Sequence, residues 1–521
     1  MNSLIGTLPR AVDIGQWNRA GVTSASLYYS LISESNLRNY VNQRRQLLFG
    51  LACTATGVAL GAKDVLGFSS YSVQHDFTSA RPAPAQRRFV SEAVEAKIVE
   101  VKRAIADPEL AWLFENCFPN TLDTTVTFGT RDNRPDTFVI TGDINAMWLR
   151  DSTAQIMPYL PLAREDKKLK DLIAGVINRQ TLCILIDRYA NAFSFGAKAC
   201  PWGVSDKPPL RPELCERKWE IDSLCYPVRL AHAYWKTTGD AACFHAEWQQ
   251  ASRLIVKTFR EQQRLNGPGP YSFQRTTDNP IDTPPFRGLG NPTRPVGMIH
   301  SAFRPSDDAC MYPFLIPSNL FAVVALNQLA EIHATVLSDR AFATECRELA
   351  HQVSEAVNKY GKAARGAHGV VYAYEVDGFG NHLFMDDANV PSLLSLPYLG
   401  CVAANDPVYR STRALILSND NPYLFRGKAA EGIGGPHVGL NMIWPLGIIM
   451  RALTSTSHDE ILFCLRMLKT THAGRGFMHE AFDKDEPKKF TRAWFAWANT
   501  LFGEFILKLY EARHPVLKQM I

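Results

Sequence analysis

Five stretches of this chain set carboxylates beside amides, histidines, arginines and tryptophans: 141–152 (TGDINAMWLRDS), 220–226 (EIDSLCY), 300–309 (HSAFRPSDDA), 385–391 (MDDANVP) and 477–480 (FMHE). A carboxylate among apolar and aromatic neighbours is costly unless it is paired or put to use. One such loop, with Asp151 next to Arg150, reads as a structural ion pair. Five in one scaffold point instead to a polar pocket at one end of it. Acid–base chemistry suits such a pocket. Glycoside hydrolysis needs two carboxyl groups in different protonation states, one to protonate the departing oxygen and one to deprotonate water or attack the sugar. The residues supply enough carboxylates without saying which two act, and a binding pocket without turnover would read the same way.

Other chemistries find less support. The Asp307-Asp308 and Asp386-Asp387 pairs can face a divalent metal, but EF-hand spacing and HExxH are both absent. There is no GxSxG elbow, no GxGxxG and no phosphate loop. Eleven cysteines are scattered with no CxxC pair and no Cys/His cluster, so no structural zinc site, and no metal or cofactor, is expected. The net charge of +5 comes without a Lys/Arg-rich block, which argues against a nucleic-acid surface. Aromatic residues reach 11%, with ten tryptophans, enough to give a sugar cleft flat faces even if most rings are core.

The elements that must position these loops read mainly as helices. In 318–337, Ala322, Ala325, Leu326, Leu329, Ile332 and Val336 recur at three- and four-residue steps after Ser318, a residue able to cap. Trp494, Trp497, Ala498, Leu501, Phe505 and Leu509 repeat the pattern near the C-terminus. A helix from about Ser223 to Thr238 stops at Gly239, with Pro227 near its first turn. Further helical patterns lie near 91–106, 144–162, 166–190, 243–264, 339–360, 391–403, 408–417, 440–453 and 458–470. Strand signals are few: 125–128 with 137–140 as a hairpin, and 369–374. About a dozen helices with a few short β-hairpins in loops permit a toroid of six helical hairpins, and 521 residues is within reach of such a domain.

The first 88 residues read differently. Arg44 and Arg45 precede a mildly apolar run within 42–62 that is too short and too rich in Gly, Ala and Thr to span a membrane. It fits an export signal of the twin-arginine kind, placing the protein in a periplasmic or secreted location; if the segment is not a signal, the location is cytoplasmic. Residues 63–88 read as a linker and 89–521 as the catalytic domain. Cys200 and Cys215 flank a Pro-rich loop and can bridge if the chain is exported.

Taken together and in order, the five stretches resemble glycoside hydrolase family 125, the exo-α-1,6-mannosidases. The segments are TGDINAMWLRDS (141–152), EIDSLCYPVRLAHAYWKTTGD (220–240), GMIHSAFRPSDDACMYPFLIPSNLFAVVAL (297–326), FMDDANVPSLLSLPYLG (384–400) and FMHEAFDKDEPKKFTRAWFAWANTLFGE (477–504). The resemblance covers nearly all of 89–521. It implies an all-α (α/α)6 barrel, cleavage of terminal α-linked mannose from an oligosaccharide or glycan with inversion, and no metal. It implies Asp222 as general acid and Glu480 as general base, Glu504 reading as an ordinary residue of the last helix. Arg150 with Asp151, and Arg304 with Asp307 and Asp308, are candidates to grip mannose hydroxyls, as are Asp387 and Asn389. His300, His437 and His479 are candidate pocket histidines; Trp148, Trp444 and Trp494 are candidate stacking faces. Two alternatives stay open: a carbohydrate-binding protein without turnover, and a helical-toroid glycosidase of another specificity. One tension stands out. Asp222 must hold a proton, yet it falls near a helix N-terminus, where the dipole favours the anion.

Overall fold

Whether a helix is apolar on one face or all round decides its place in this molecule. In the computed structural model, which describes residues 77–521 except Ala197 and Ala199, twelve α-helices of eight residues or more are present among the described residues. They are α1 Glu92–Ala104, α2 Pro108–Cys117, α3 Leu149–Ile156, α4 Lys167–Ile186, α5 Ile221–Thr238, α6 Ala246–Gln262, α7 Ile316–Thr335, α8 Arg340–Tyr360, α9 Pro407–Ile416, α10 Pro445–Leu453, α11 His458–Thr471 and α12 Ala496–Glu511. Helix α8 buries only one stripe, Phe342, Ala343, Cys346, Leu349, Ala350, Val353, Ala356 and Val357, and lies outside; Asp339 caps it. Its partner α7 is buried on nearly every side through its first two turns, as are α3, α10 and α12 along most of their length. These are inner helices. Helix α3 packs on α5 and α12, α5 on α7, and α10 on α12, while α4, α8, α11 and α2 back them from outside. The result is an (α/α)6 barrel.

Short strands precede most of the inner helices. Met147–Trp148 runs into α3, Phe314–Leu315 into α7, and Met442–Ile443 stops just before α10. Each belongs to a three-stranded antiparallel sheet, the first with Ala192–Phe193 and Leu214–Glu216, the second with Glu375–Val376 and His382–Leu383, the third with Ala481–Asp483 and Phe490–Thr491. These sheets pin the first turns of the inner helices, where a helix leaves its N–H groups unsatisfied.

Several expectations need correction. The 144–162 helix is helical only over Leu149–Ile156, because Met147 and Trp148 are spent on a sheet and Pro158 and Pro161 turn the rest into a 3₁₀ segment. No helix forms over 391–403. Pro397 interrupts it, and the Asp386 carboxylate takes the Leu393 and Leu394 N–H groups that a helix would start from. Helix α2 was not anticipated although Asp107 caps it and Pro108 opens it. Ser318 does not cap α7, which starts at Ile316; it lies inside the helix. Helix α5 starts two residues earlier than read, so Pro227 falls in its second turn, and Gly239 ends it in the left-handed region at φ 72°. The hairpin forms as Val126–Arg131 against Arg134–Val139, with Asp132 and Asn133 left-handed at its tip. Val370–Tyr372 pairs with Lys362–Ala364.

The compact unit runs over His75–Ile521, so the expected linker is folded at its C-terminal end. There Arg81 is buried in ion pairs with Glu95 and Asp123, and Trp112 donates to the Thr78 carbonyl. The export segment 42–62 lies outside the described residues. Cys200 and Cys215 are bonded, with Cα atoms 4.9 Å apart.

Candidate active site

A pocket with a volume of about 190 Å³ opens where the first turns of α3, α10 and α12 converge. Arg150, Asp151, Asp307, His437, Glu480 and Arg492 line it, with Ser306 and Asn389 between them. Trp148, Trp444, Phe495 and Trp497 form its aromatic faces.

On one side everything turns on Arg150. Its Nη1 donates to Glu220 at 2.6 Å and to Asp222 at 3.3 Å, its Nη2 lies 3.4 Å from Asp307, and its Nε 3.5 Å from Asp151. Glu220 is the N-cap residue of α5 and Asp222 sits in its first turn. Both are fully buried. Burial pushes Asp222 up to about 6 against the pull of Arg150, and pushes Glu220 well above the carboxylate range. This answers the tension over the helix dipole: desolvation among neighbouring carboxylates outweighs it. Ser318 Oγ reaches Asp222 at 3.4 Å and Ser223 Oγ donates to Glu220 at 2.7 Å. Burial also raises Asp151 to about 6. Asp307 behaves oppositely. Burial disfavours its charge, but Arg150, a hydrogen bond from Glu220, Lys218 and His437 hold it well below the usual range. Trp148 Nε1 and Asn191 Nδ2 also donate to it, at 3.3 and 3.1 Å.

On the other side Glu480 ends a hairpin. The ladder pairs Phe482 with Phe490 and Ala481 with Thr491, so Glu480 and Arg492 face each other next. The Glu480 N–H donates to the Arg492 carbonyl at 3.3 Å, and Arg492 Nη1 to Glu480 Oε1 at 3.2 Å. His437 bonds Asp308 at 2.8 Å; burial works against its charge, but Asp308, Asp307 and Glu480 raise it to about 9, so it is an imidazolium at neutral pH.

The pocket thus gathers Trp148, Arg150, Asp151, Asp307, Asn389, His437 and Glu480, with Asp222 held against Arg150. Arg304, Asp308 and Asp387 stand behind its wall. Arg304 is spent on Glu375 at 2.6 Å, and Asp387 accepts from Ser306 and from Asn389, both of which do line the pocket. Three expected residues lie elsewhere. His300 is buried beneath Trp219, whose indole donates to its carbonyl, and burial holds its ring neutral. His479 is absent from the pocket lining: the chain bends at Glu480, and the His479 ring stacks on Phe490 with centroids 3.8 Å apart. Trp494 supplies backbone: its carbonyl receives the Asp143 N–H and abuts Gly142, where a Cβ would come within 2.3 Å of it. Glu504 bonds Tyr398 and Lys508 in α12, as an ordinary helix residue does.

The reading from sequence did not single out Arg492, Ser306, Phe495 or the site role of Trp497. A signal for Arg492 existed: taking DKDEPKK as a hairpin turn sets Arg492 across from Glu480.

A helical barrel whose inner-helix N-termini surround a carboxylate-lined, aromatic-walled pocket is the layout of a glycosidase. Comparison with known proteins narrows the class. Residues 107–507 match the model of the metal-independent α-mannosidases, GH125. The chain is 42% identical over 499 residues to the meiotically up-regulated gene 157 protein of Schizosaccharomyces pombe, covering 91% of this chain and 97% of that protein. It is also similar to a metal-independent α-mannosidase of Streptococcus pneumoniae solved in a non-productive complex with α-1,6-mannobiose: TM-score 0.79, 40% identity, 81% of this chain and 99% of that one. The chain belongs to glycoside hydrolase family 125, the metal-independent α-mannosidases.

Proposed function

We propose that this α-mannosidase removes terminal, non-reducing α-1,6-linked mannose with inversion, Asp222 acting as general acid and Glu480 as general base. The observation that carries the reading is the contrast between the two carboxyl groups. Asp222, buried and raised to about 6, is a proton donor at mildly acid pH. It delivers that proton to the glycosidic oxygen as the bond to the anomeric carbon breaks. Glu480, in the pocket wall, takes a proton from water, which attacks the anomeric carbon from the opposite face, leaving mannose with inverted configuration. Asp151, Asp307, Asn389 and His437 are the groups available to the sugar hydroxyls, and the buried Trp444 Nε1, which has no hydrogen-bond partner among the described residues, is a further donor. The mannobiose complex of the 40%-identical relative supports the linkage.

Asp222→Asn and Glu480→Gln should each lower turnover of α-1,6-mannobiose by about 10²–10⁴-fold with melting temperatures near wild type. NMR of the first product should show the β-anomer; α-mannose as the initial product would overturn inversion, and faster cleavage of α-1,2- or α-1,3-mannobiose would overturn the linkage. The Cys200–Cys215 bond further supports a proposal that the chain is exported. Mass spectrometry of protein alkylated in the cell should find this pair oxidised, and free thiols at both positions would count against export.

A further inference from the structure

The guanidinium of Arg492 is locked on all sides. Beyond Glu480, it donates from Nε to Asp143 at 2.8 Å and from Nη2 to Thr141 at 3.2 Å, its Nη2 stands 2.7 Å from the same Asp143 oxygen as an ion pair, and it lies 4.7 Å from the centre of the Phe495 ring. Its backbone is left-handed at φ 35°, a conformation an arginine adopts at a cost, and such strain collects at functional sites. The hairpin supplies the reason for that conformation. Thr491 is the last ladder residue, and the chain must turn at once toward Phe495 and the start of α12 while still presenting the Arg492 carbonyl to the Glu480 N–H.

We propose that Arg492 is the positioning residue for Glu480, fixing by a backbone and a side-chain bond the direction in which that carboxylate meets the attacking water. The inference rests on Glu480 being the general base. Glu480 sits at a bend just before the strand Ala481–Asp483, and a glutamate side chain has several staggered rotamers; the charged bond from Arg492 selects one. Asp143 and Thr141, from the loop before α3, hold the guanidinium from its far edge, so the general base is aimed by loops 349 and 351 residues apart in the chain. Arg492 also lines the pocket. A role in gripping sugar hydroxyls would therefore appear in KM, whereas a role exerted through Glu480 appears in kcat.

The test uses the full-length enzyme and α-1,6-mannobiose. Arg492→Ala should lower kcat by about ten- to a hundredfold with KM within about threefold of wild type, and added guanidinium chloride at tens of millimolar should restore part of kcat. Arg492→Lys should retain more activity than Arg492→Ala. Asp143→Asn, which touches the guanidinium without touching Glu480, should lower kcat in the same direction by less, and carries the test if the alanine variant does not fold. A raised KM at unchanged kcat, or a kcat loss that guanidinium does not relieve in a folded protein, overturns the proposal. Glu480→Gln run alongside separates the two readings. If it keeps wild-type turnover, the general-base assignment falls; if it is inactive while the Arg492 and Asp143 variants keep wild-type kcat, only the positioning role falls.

Discussion

On the α3 and α5 side of the pocket one guanidinium, Arg150, faces four carboxyl groups: Asp151, Glu220, Asp222 and Asp307. On the hairpin side one guanidinium, Arg492, faces Glu480 and Asp143. In the first cluster Glu220 and Asp222 are fully buried and Asp307 is 21% exposed, whereas on the second side Glu480 is 8% and Asp143 39% exposed. Burial, with carboxyl neighbours adding to it, keeps protons on this side: Asp222 and Asp151 rise to about 6 and Glu220 rises well above the carboxylate range. The wetter side, with one cation for two acids, gives its carboxylate a charged partner and a fixed direction. A site that needs one acid and one base can thus obtain both from the same residue types by changing the number of neighbours and the access of water.

The largest effect should come from removing the cation of the dry cluster. Arg150→Met leaves Glu220 and Asp222, both fully buried, without their cationic partner, and breaking such a buried arrangement costs about 3–5 kcal/mol. Arg492→Met, on the wetter side, should cost roughly 1–2 kcal/mol. Urea unfolding of both variants checks this, and equal losses would remove the distinction between the two sides. A smaller effect, in activity alone, should follow pH. A carboxyl raised to about 6 keeps its proton below that pH and loses it above, so kcat/KM should fall about tenfold per unit as pH rises beyond about 6. Measured from pH 4.5 to 8, a flat profile would rule out Asp222 as the acid.

The helices were legible because their signal is local. The stripe of α8 and the long apolar run of α7 declare outer and inner positions before any partner is known. The carboxylates Asp222, Asp307 and Glu480 were legible as candidate site residues only through five motifs taken together. What could not be read was direction. His479 and Glu480 are neighbours of similar polarity, and a bend in the chain at Glu480 sends one to Phe490 and the other into the pocket. His300 and Asp307 share one loop, yet the first is packed under Trp219. The apolar pattern of 391–403 reads as helical because periodicity carries no trace of Asp386, which claims the Leu393 and Leu394 N–H donors from seven and eight residues upstream. Arg492 escaped notice because its role depends on hairpin register.

The smallest effect sharpens the comparison most. If burial keeps Glu220 protonated, its neutral isostere should replace it with little loss. In Glu220→Gln the amide oxygen can accept from Arg150 and Ser223 as Glu220 Oε2 does, and the amide N–H can donate to Asp307 in place of the carboxyl proton. Stability should change by less than about 1 kcal/mol and the falling limb of kcat/KM should stay near pH 6. If Glu220 carried a charge instead, the same substitution would take a negative neighbour from Asp222, favour its ionised form, and move that limb to lower pH. Glu220→Ala should be worse than Gln in either case, since it strips Arg150 of its 2.6 Å partner. The position of the limb in the glutamine variant therefore reports whether the dry side of the pocket keeps its extra proton.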